Sequence, residues 1–441
     1  MEADTRDMKV GPPAAAEQAV QPHGSYLHRT FHSLRVRNFR LFVSGQLLSA
    51  VGTWMQWTAA PLLVLHLTGS GVAVGIDTAL GFLPILLFGA WGGVFADRFD
   101  NRRILVATQF AFAAVSLVLW GLVATDVVTV WMVYAASFLS GMVNAVDMPT
   151  RQSFYLVMVG PDRLTNAMSL NTATFTGSRV IGPAIAAILI KTFGLAPVFL
   201  INAVSFLPVV VALMMMRRDE LRSRPRAPRA RGQIREGIRY VWSRPALRLP
   251  IVIMGVVFLF TFNYVVLLPL LAIRTFHGDA GTYGNLLAMF GVGSLAGALA
   301  MAGRASRPDI RLLAVLAMVF GVVAVASALA PTLPVALALM VPLGAAGLAF
   351  AVTANSTLQL ASSDEMRGRV MALYTVVFLG STPIGGPIAG VVGEHLGPRV
   401  GLAGGGVFAV AAGVAGLVAL RRAVAAEGGR MARAASDGGS A

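Results

Sequence analysis

The chain has 441 residues, 56% of them hydrophobic and only 12% charged, whereas a soluble protein carries about 25% charged residues, so water is not its main solvent. Thirty-five basic residues against twenty acidic ones give a net charge of +15, and only two of the basics are lysines. The absence of cysteine excludes disulfides, Cys-ligated zinc, iron–sulfur clusters and thiol catalysis, and six scattered histidines with no pair at ligand spacing predict no metal site; no cofactor is expected.

Residues 1–38 contain Pro12, Pro13 and Pro22 and lack an apolar core of the signal-peptide kind, so they read as a polar tail. Beyond them the sequence supplies twelve apolar stretches long enough to cross the roughly 30 Å hydrocarbon core of a bilayer. Their approximate limits are 40–65, 73–95, 104–124, 130–157, 165–190, 195–216, 249–272, 281–302, 311–330, 334–358, 367–392 and 399–420. Backbone groups facing lipid are satisfied only in helices or closed barrels, and no barrel alternation is present. The predicted fold class is therefore an all-α membrane protein with twelve transmembrane helices in two pseudo-symmetric six-helix bundles. The bundles are 39–216 and 249–420, joined by a linker at 217–248 that holds eleven arginines, with a C-terminal tail at 421–441.

Thirty of the basic residues fall on the side of the N-terminus and three on the other, which predicts that both termini and the linker are cytoplasmic. The charge is thus a topology signal and no nucleic-acid partner is expected; the linker can also touch anionic lipid. Arginine in place of lysine, with much Ala, Gly and Val, suggests a bacterial chain, hence a multi-pass protein of the cell membrane.

In chain order, the first span offers Gln46, Trp54, Gln56 and Trp57 as lining for a central cavity, the aromatic faces suiting a planar or cationic ligand. The second holds Asp77 about one turn inside its external end, an acid that could exchange a proton or simply reach water. It ends in Gly92-Gly93-Val94-Phe95-Ala96-Asp97-Arg98-Phe99-Asp100-Asn101-Arg102-Arg103. There Gly93 permits close helix approach, and Asp97 can meet a helix N-terminus or an arginine only when the cytoplasmic face is closed. The fourth span carries Asp147 and Arg151 on one helix face, and Arg179 of the fifth stands within roughly 6 Å of Asp147 in height. Charges inside a span mark function by default, so the three are expected to form a network, either a static clamp or part of proton coupling.

The fifth span also holds Asn171, a further cavity candidate, and Thr172-x4-Gly177-x4-Gly182-Pro183, where glycine allows packing and proline bends the helix. Residues 235–240 of the linker form a short amphipathic helix with Ile234, Ile238 and Val241 on one side, expected to rest on the membrane surface. In the second half, Asn263, Tyr264, Asn355 and Gln359 are cavity candidates, and Gly386-Pro387 echoes Gly182-Pro183 at an offset of 204. The same offset pairs Gly93 with Gly297, Arg163 with Arg367 and Arg103 with Arg307, the mark of an internal repeat.

The Gly93 to Arg103 segment resembles the G-x-x-x-D-R-x-x-x-R-R signature of the major facilitator superfamily. The Thr172 to Pro183 segment resembles the antiporter signature of its drug:proton exchangers, with Ala186-Ala187 in place of the usual closing glycines. The run from Gly141 to Pro183, with Asn166-Ala167-Met168-Ser169-Leu170-Asn171, and the segment Arg235 to Val241 are similar to the bacterial branch that contains the enterobactin exporter and macrolide efflux proteins. The resemblance spans residues 34–420 and implies the major facilitator fold, with Asp97, Arg98 and Arg102 or Arg103 stabilising the outward-facing state. It further implies export of an amphipathic small molecule, such as a drug, antibiotic or siderophore, by alternating access, with proton antiport and a monomeric chain. An acid that many relatives hold near Val157 is missing. Uptake or facilitated diffusion is the alternative; a non-transporting receptor and an intramembrane enzyme lack, respectively, a signalling domain and a clustered catalytic set. No G-x-x-x-x-G-K-[ST] loop is present to bind ATP.

Overall fold

A computed structural model describes residues 32–222, 233–302, 304 and 308–438. The first 31 residues, the arginines between 223 and 232, and Arg307 lie outside the described residues. Among those described there is no strand. A short 3-10 turn, His32–Arg35, leads into α1 (Arg37–Thr68), α2 (Gly71–Arg98), α3 (Asn101–Ala124), α4 (Val130–Val159), α5 (Pro161–Phe193), α6 (Ala196–Ser205) and α7 (Leu207–Met214). After the linker helix α8 (Gln233–Trp242) come α9 (Pro245–Phe260), α10 (Tyr264–Leu270), a π-helical turn Leu271–Thr275, α11 (Ala280–Ala302), α12 (Ile310–Ala328), α13 (Leu333–Ala361), α14 (Asp364–His395) and α15 (Pro398–Gly438).

Helices α6 and α7 share one rod, and α9, α10 and the π turn share another. Ten rods combine the length and apolarity needed to cross a membrane. The other two, α1 and α4, have the length; at about 1.5 Å per residue the 32 residues of α1 reach roughly 48 Å. They fall short in apolarity because they carry the polar residues singled out above: Gln46, Gln56, Asp147 and Arg151. Local signals explain the ends. Gly69 closes α1 with φ +64, a left-handed conformation that costs glycine little. Ser70 caps α2 through Ala73, Asp100 caps α3 through Arg102 and Arg103, and Pro161 opens α5.

Three expectations change. The last helix does not stop near residue 420 but runs on to Gly438, through an alanine-rich stretch that favours helix. The linker helix forms but does not present a single apolar face to lipid: Val241 is buried and Ile238 is exposed. It packs on α14 instead, where Gly237 leaves room for Arg369, the Glu236 carboxylate pairs with Arg369 at 2.5 Å, and the Tyr240 hydroxyl lies 3.0 Å from Ser363 Oγ. Span seven is broken between α9 and α10, where Thr261 donates to the Gly405 carbonyl and Asn263 to that of Leu259.

The halves repeat one packing scheme. Backbone contact at Gly92 and Gly141 joins α2 to α4, and contact at Gly293 and Gly297 joins α11 to α13. Between the halves, α2 meets α14 and α5 meets α11, the same pair of contacts with the roles exchanged. The main core runs through both halves, yet its N-half members come only from helix ends on one side, among them Met55, Leu62 to Leu65, Val74, Val133, Ala186 and Phe199. The other ends of the N-half helices form a core of their own around Phe39, Phe42, Phe154, Tyr155 and Leu213. The halves are therefore joined at the face away from α1's start and parted at the face where α1 begins. These are called below the closed face and the open face.

Candidate functional site

Closure depends on small residues and on one polar clasp. A Cβ on Gly75 would lie 2.5 Å from the Gly386 carbonyl oxygen, and one on Gly284 would lie 3.0 Å from the Pro183 carbonyl oxygen. At the rim, Glu394 of α14 accepts from Ser70 Oγ at 2.5 Å and from the Val72 backbone N–H at 2.9 Å, both at the start of α2. Arg274 donates to the Gly69 carbonyl at 2.5 Å, a carbonyl aimed by the left-handed turn. Neither Glu394 nor Arg274 stands out in the sequence as a site residue. The one available signal is that each is a charged residue beside a span end on the face with few charges.

At mid-depth between the halves lies Arg179. Its guanidinium sits over three rings, at 5.4 Å from Trp54, 5.4 Å from Tyr264 and 4.9 Å from Phe290, and Nη2 donates to the Tyr264 hydroxyl. Trp54 in turn meets Trp57 and Phe175 edge-on. Trp54 and Arg179 belong to the N-half, Tyr264 and Phe290 to the C-half, so the cluster is assembled by both. Gly291 supports it by letting α11 approach the Arg179 backbone carbonyl. Two buried donors, Arg179 Nε and Trp54 Nε1, have no acceptor.

The expected three-membered network does not form. Asp147 and Arg151 pair within α4: Arg151 donates to Asp147 Oδ2 from Nε at 3.0 Å and from Nη2, while Oδ1 accepts from Thr108 at 2.6 Å and from Gln109 at 3.0 Å. Arg179 has a suitable height but points away, toward α1, α10 and α11. The buried pair is thus fully used inside the N-half. Asp77, buried at 5% exposure, accepts a 2.6 Å hydrogen bond from Ser137 of α4 and has no cationic partner among the described residues.

Other expected lining residues separate into two groups. Gln56 turns away from the centre, its Oε1 accepting from Ser116 at 2.9 Å and Asn202 at 2.7 Å inside the N-half. Asn171 accepts from the Tyr155 hydroxyl at 2.6 Å, Asn263 holds the break in span seven, and Asn355 accepts from Gln359 at 2.6 Å. Gln46 Oε1 is a buried acceptor without a donor, whereas Trp54 and Tyr264 are taken up by Arg179 and Trp57 stands edge-on to Trp54. Gly182 is a true packing residue, since a Cβ there would lie 2.5 Å from that of Trp54, whereas Gly177 has open space and packs on nothing. Gly386 and Pro387 face Gly75.

At the open face, the close approach of α2 to α4 is made by Gly92, against Ala145, where the sequence pointed to Gly93. Arg102 caps the end of α7, donating to the Leu213 and Met214 carbonyls at 2.6 and 3.0 Å, and Arg103 lies 3.9 Å from Asp100. Both arginines spend these contacts within the N-half, and Arg98 is exposed. The side chain of Asp97 lies outside the described residues.

Two halves with one packing scheme, closed on one face around a polar centre that both supply, define a membrane transporter of small molecules. Residues 28–433 match the family described as "Transmembrane secretion effector", and the chain belongs to that family of the major facilitator superfamily. It is 25% identical to the Staphyloferrin A transporter of Staphylococcus aureus over 59% of this chain and 66% of that protein, just under two thirds of its length. To the multidrug efflux pump Tap of Mycobacterium bovis it is 27% identical, over 80% of this chain and 88% of that protein. A bacterial homologue of the human lysosomal transporter Spinster, in an inward-facing and unoccupied conformation, shares the fold with a TM-score of 0.69 at 16% identity, covering 90% of this chain and 98% of the other.

Proposed function

We propose that the protein exports amphipathic small molecules from the cytoplasm of a bacterium by alternating access, with both termini cytoplasmic. The observation that carries this reading is the aromatic and cationic centre, built by both halves, with Phe175 exposed on its open-face side. The thirty-to-three charge asymmetry assigns that open face to the cytoplasm, so a cytoplasmic ligand enters first. A relative named as a multidrug efflux pump agrees with this direction.

Export is driven in this reading by proton antiport. Asp77 is the carrier: a buried carboxylate with one hydroxyl partner is far more costly than a buried neutral acid, so its charge state is coupled to access from either face. Asp147, held by three donor residues, serves as structure. In everted vesicles supplied with neutral, anionic and cationic amphipathic dyes, an imposed proton gradient should drive accumulation. Asp77→Asn should remove the gradient dependence and leave binding intact. Equal accumulation with the gradient collapsed overturns antiport, and accumulation confined to right-side-out vesicles overturns export.

A further inference from the structure

The cluster at mid-depth holds a cation in surroundings that give it no counter-charge. Arg179 carries five N–H donors, of which Nη2 is used by the Tyr264 hydroxyl; Nε is buried with no partner, and no carboxylate among the described residues pairs with the guanidinium. Both candidate acids are committed elsewhere, Asp147 to Arg151, Thr108 and Gln109, and Asp77 to Ser137. The three rings attract the cation by their electron-rich faces but accept no N–H hydrogen bond in the plane of the guanidinium. A second orphan donor, Trp54 Nε1, belongs to a ring of the same cluster, and Trp54 is only 4% exposed. Two unsatisfied donors, one of them charged, define a place that wants an acceptor.

We propose that Arg179 is the recognition residue for an anionic substrate: the transported amphiphile bears a carboxylate or similar planar anion, which binds the guanidinium while its apolar body lies on the open-face side of the cluster, against the exposed ring of Phe175. A carboxylate matches the planar fork of arginine and gives charge-assisted bonds about twice as strong as neutral ones. Aromatic rings in a cavity would by themselves suit a cationic ligand; here the protein's own cation already occupies their faces, so a cationic ligand is repelled. Phe175 lies one turn nearer the open face than Arg179 and is half exposed, which connects the site to that face. Because Tyr264 and Phe290 come from the C-half, a bound anion ties the two halves together.

The inference rests on the transport reading for its biological meaning, but its test is an equilibrium measurement. The intact chain in phosphatidylcholine nanodiscs is dialysed against 2-naphthoate, its neutral isostere 2-naphthamide and the cation 2-naphthylmethylammonium. Binding of the carboxylate should be about tenfold tighter than that of the amide, with the ammonium weakest. Arg179→Gln should make carboxylate and amide equal with the size-exclusion profile of the parent, and Arg179→Lys should retain part of the preference. A residue that merely clasped the halves would change all three probes alike. Equal binding of the three, preference for the ammonium, no binding of the carboxylate, or a preference that survives Arg179→Gln overturns the proposal. Adding phosphatidylglycerol to the nanodiscs separates two sources of the anion: competition with 2-naphthoate assigns the site to a lipid headgroup, and undisturbed binding assigns it to a soluble substrate. Carboxylate preference without flux in everted vesicles would sink the export reading alone, and gradient-driven flux without that preference would sink this one alone.

Discussion

Gly75→Ala tests whether the closed face is held by backbone contact. The added methyl would stand 2.5 Å from the Gly386 carbonyl oxygen, 2.9 Å from its carbonyl carbon and 3.0 Å from Pro387 Cα. Carbon contacts settle at about 3.5–4.0 Å, so α2 and α14 must part by several tenths of an ångström to an ångström. All three atoms are backbone, and no rotamer change relieves them. Overpacking of this kind costs about 1–3 kcal/mol, and a state opened at this face escapes the cost because the contact is absent there. The ratio of opened to closed molecules should therefore rise about 5- to 150-fold. The sequence has no cysteine, so nitroxide labels on His66→Cys and His395→Cys, both exposed near the closed face, report there alone. Double electron–electron resonance should show a longer-distance population growing in Gly75→Ala and not in Gly177→Ala, where a methyl meets nothing within 4 Å. Identical distance distributions in the parent and Gly75→Ala, with both proteins monodisperse, would refute the argument.

Glu394→Gln keeps an acceptor for Ser70 and Val72 but removes the charge; at about 1 kcal/mol lost, the same labels should show roughly fivefold more opening, and no change would show the clasp to be idle. Asp147→Asn leaves the Arg151 guanidinium without its counter-charge inside α4, so the melting temperature in detergent should fall by the equivalent of about 3 kcal/mol; an unchanged melt would show that the pair contributes nothing to folding. Asp279 accepts from the Thr282 backbone N–H at 2.9 Å at the start of α11, and that bond, with one from the Thr282 hydroxyl, holds its carboxyl below the ordinary carboxylate range. Since the folded pKa is the lower one, the contribution is complete above the unfolded value near about 4 and is lost as pH falls through the folded value. Asp279→Ala should cost about 1 kcal/mol at neutral pH and less in acid, and a constant difference across that range would contradict the capping role.

Most of the architecture was legible because a bilayer imposes long apolar runs, and because glycines such as Gly182 and Gly386 recur at a fixed offset in the two halves. Direction around a helix was less legible. Asp147 and Arg179 are well matched in height, yet Asp147 points from α4 into the N-half while Arg179 points from α5 to the centre. Gln56 lies close in sequence to Trp54 and Trp57, but its Oε1 is taken by Ser116 and Asn202 inside the N-half. Gly92 replaces Gly93 as the contact to α4 for the same reason: one residue is about 100° of rotation on a helix. The Glu394 clasp was hidden differently, since Ser70 and Glu394 are 324 positions apart and only tertiary structure brings them together.

The docking of α8 on α14 gives the linker a mechanical meaning. On one side, Arg217 is tied to Asn38 by two hydrogen bonds and the Arg222 N–H reaches the Val157 carbonyl, so that stretch moves with the N-half. On the other, Glu236 and Tyr240 hold α8 to the C-half. The described ends of the linker therefore belong to different halves: when the halves move, Arg217 and Arg222 are carried with α1 and α4, and α8 is carried with α14.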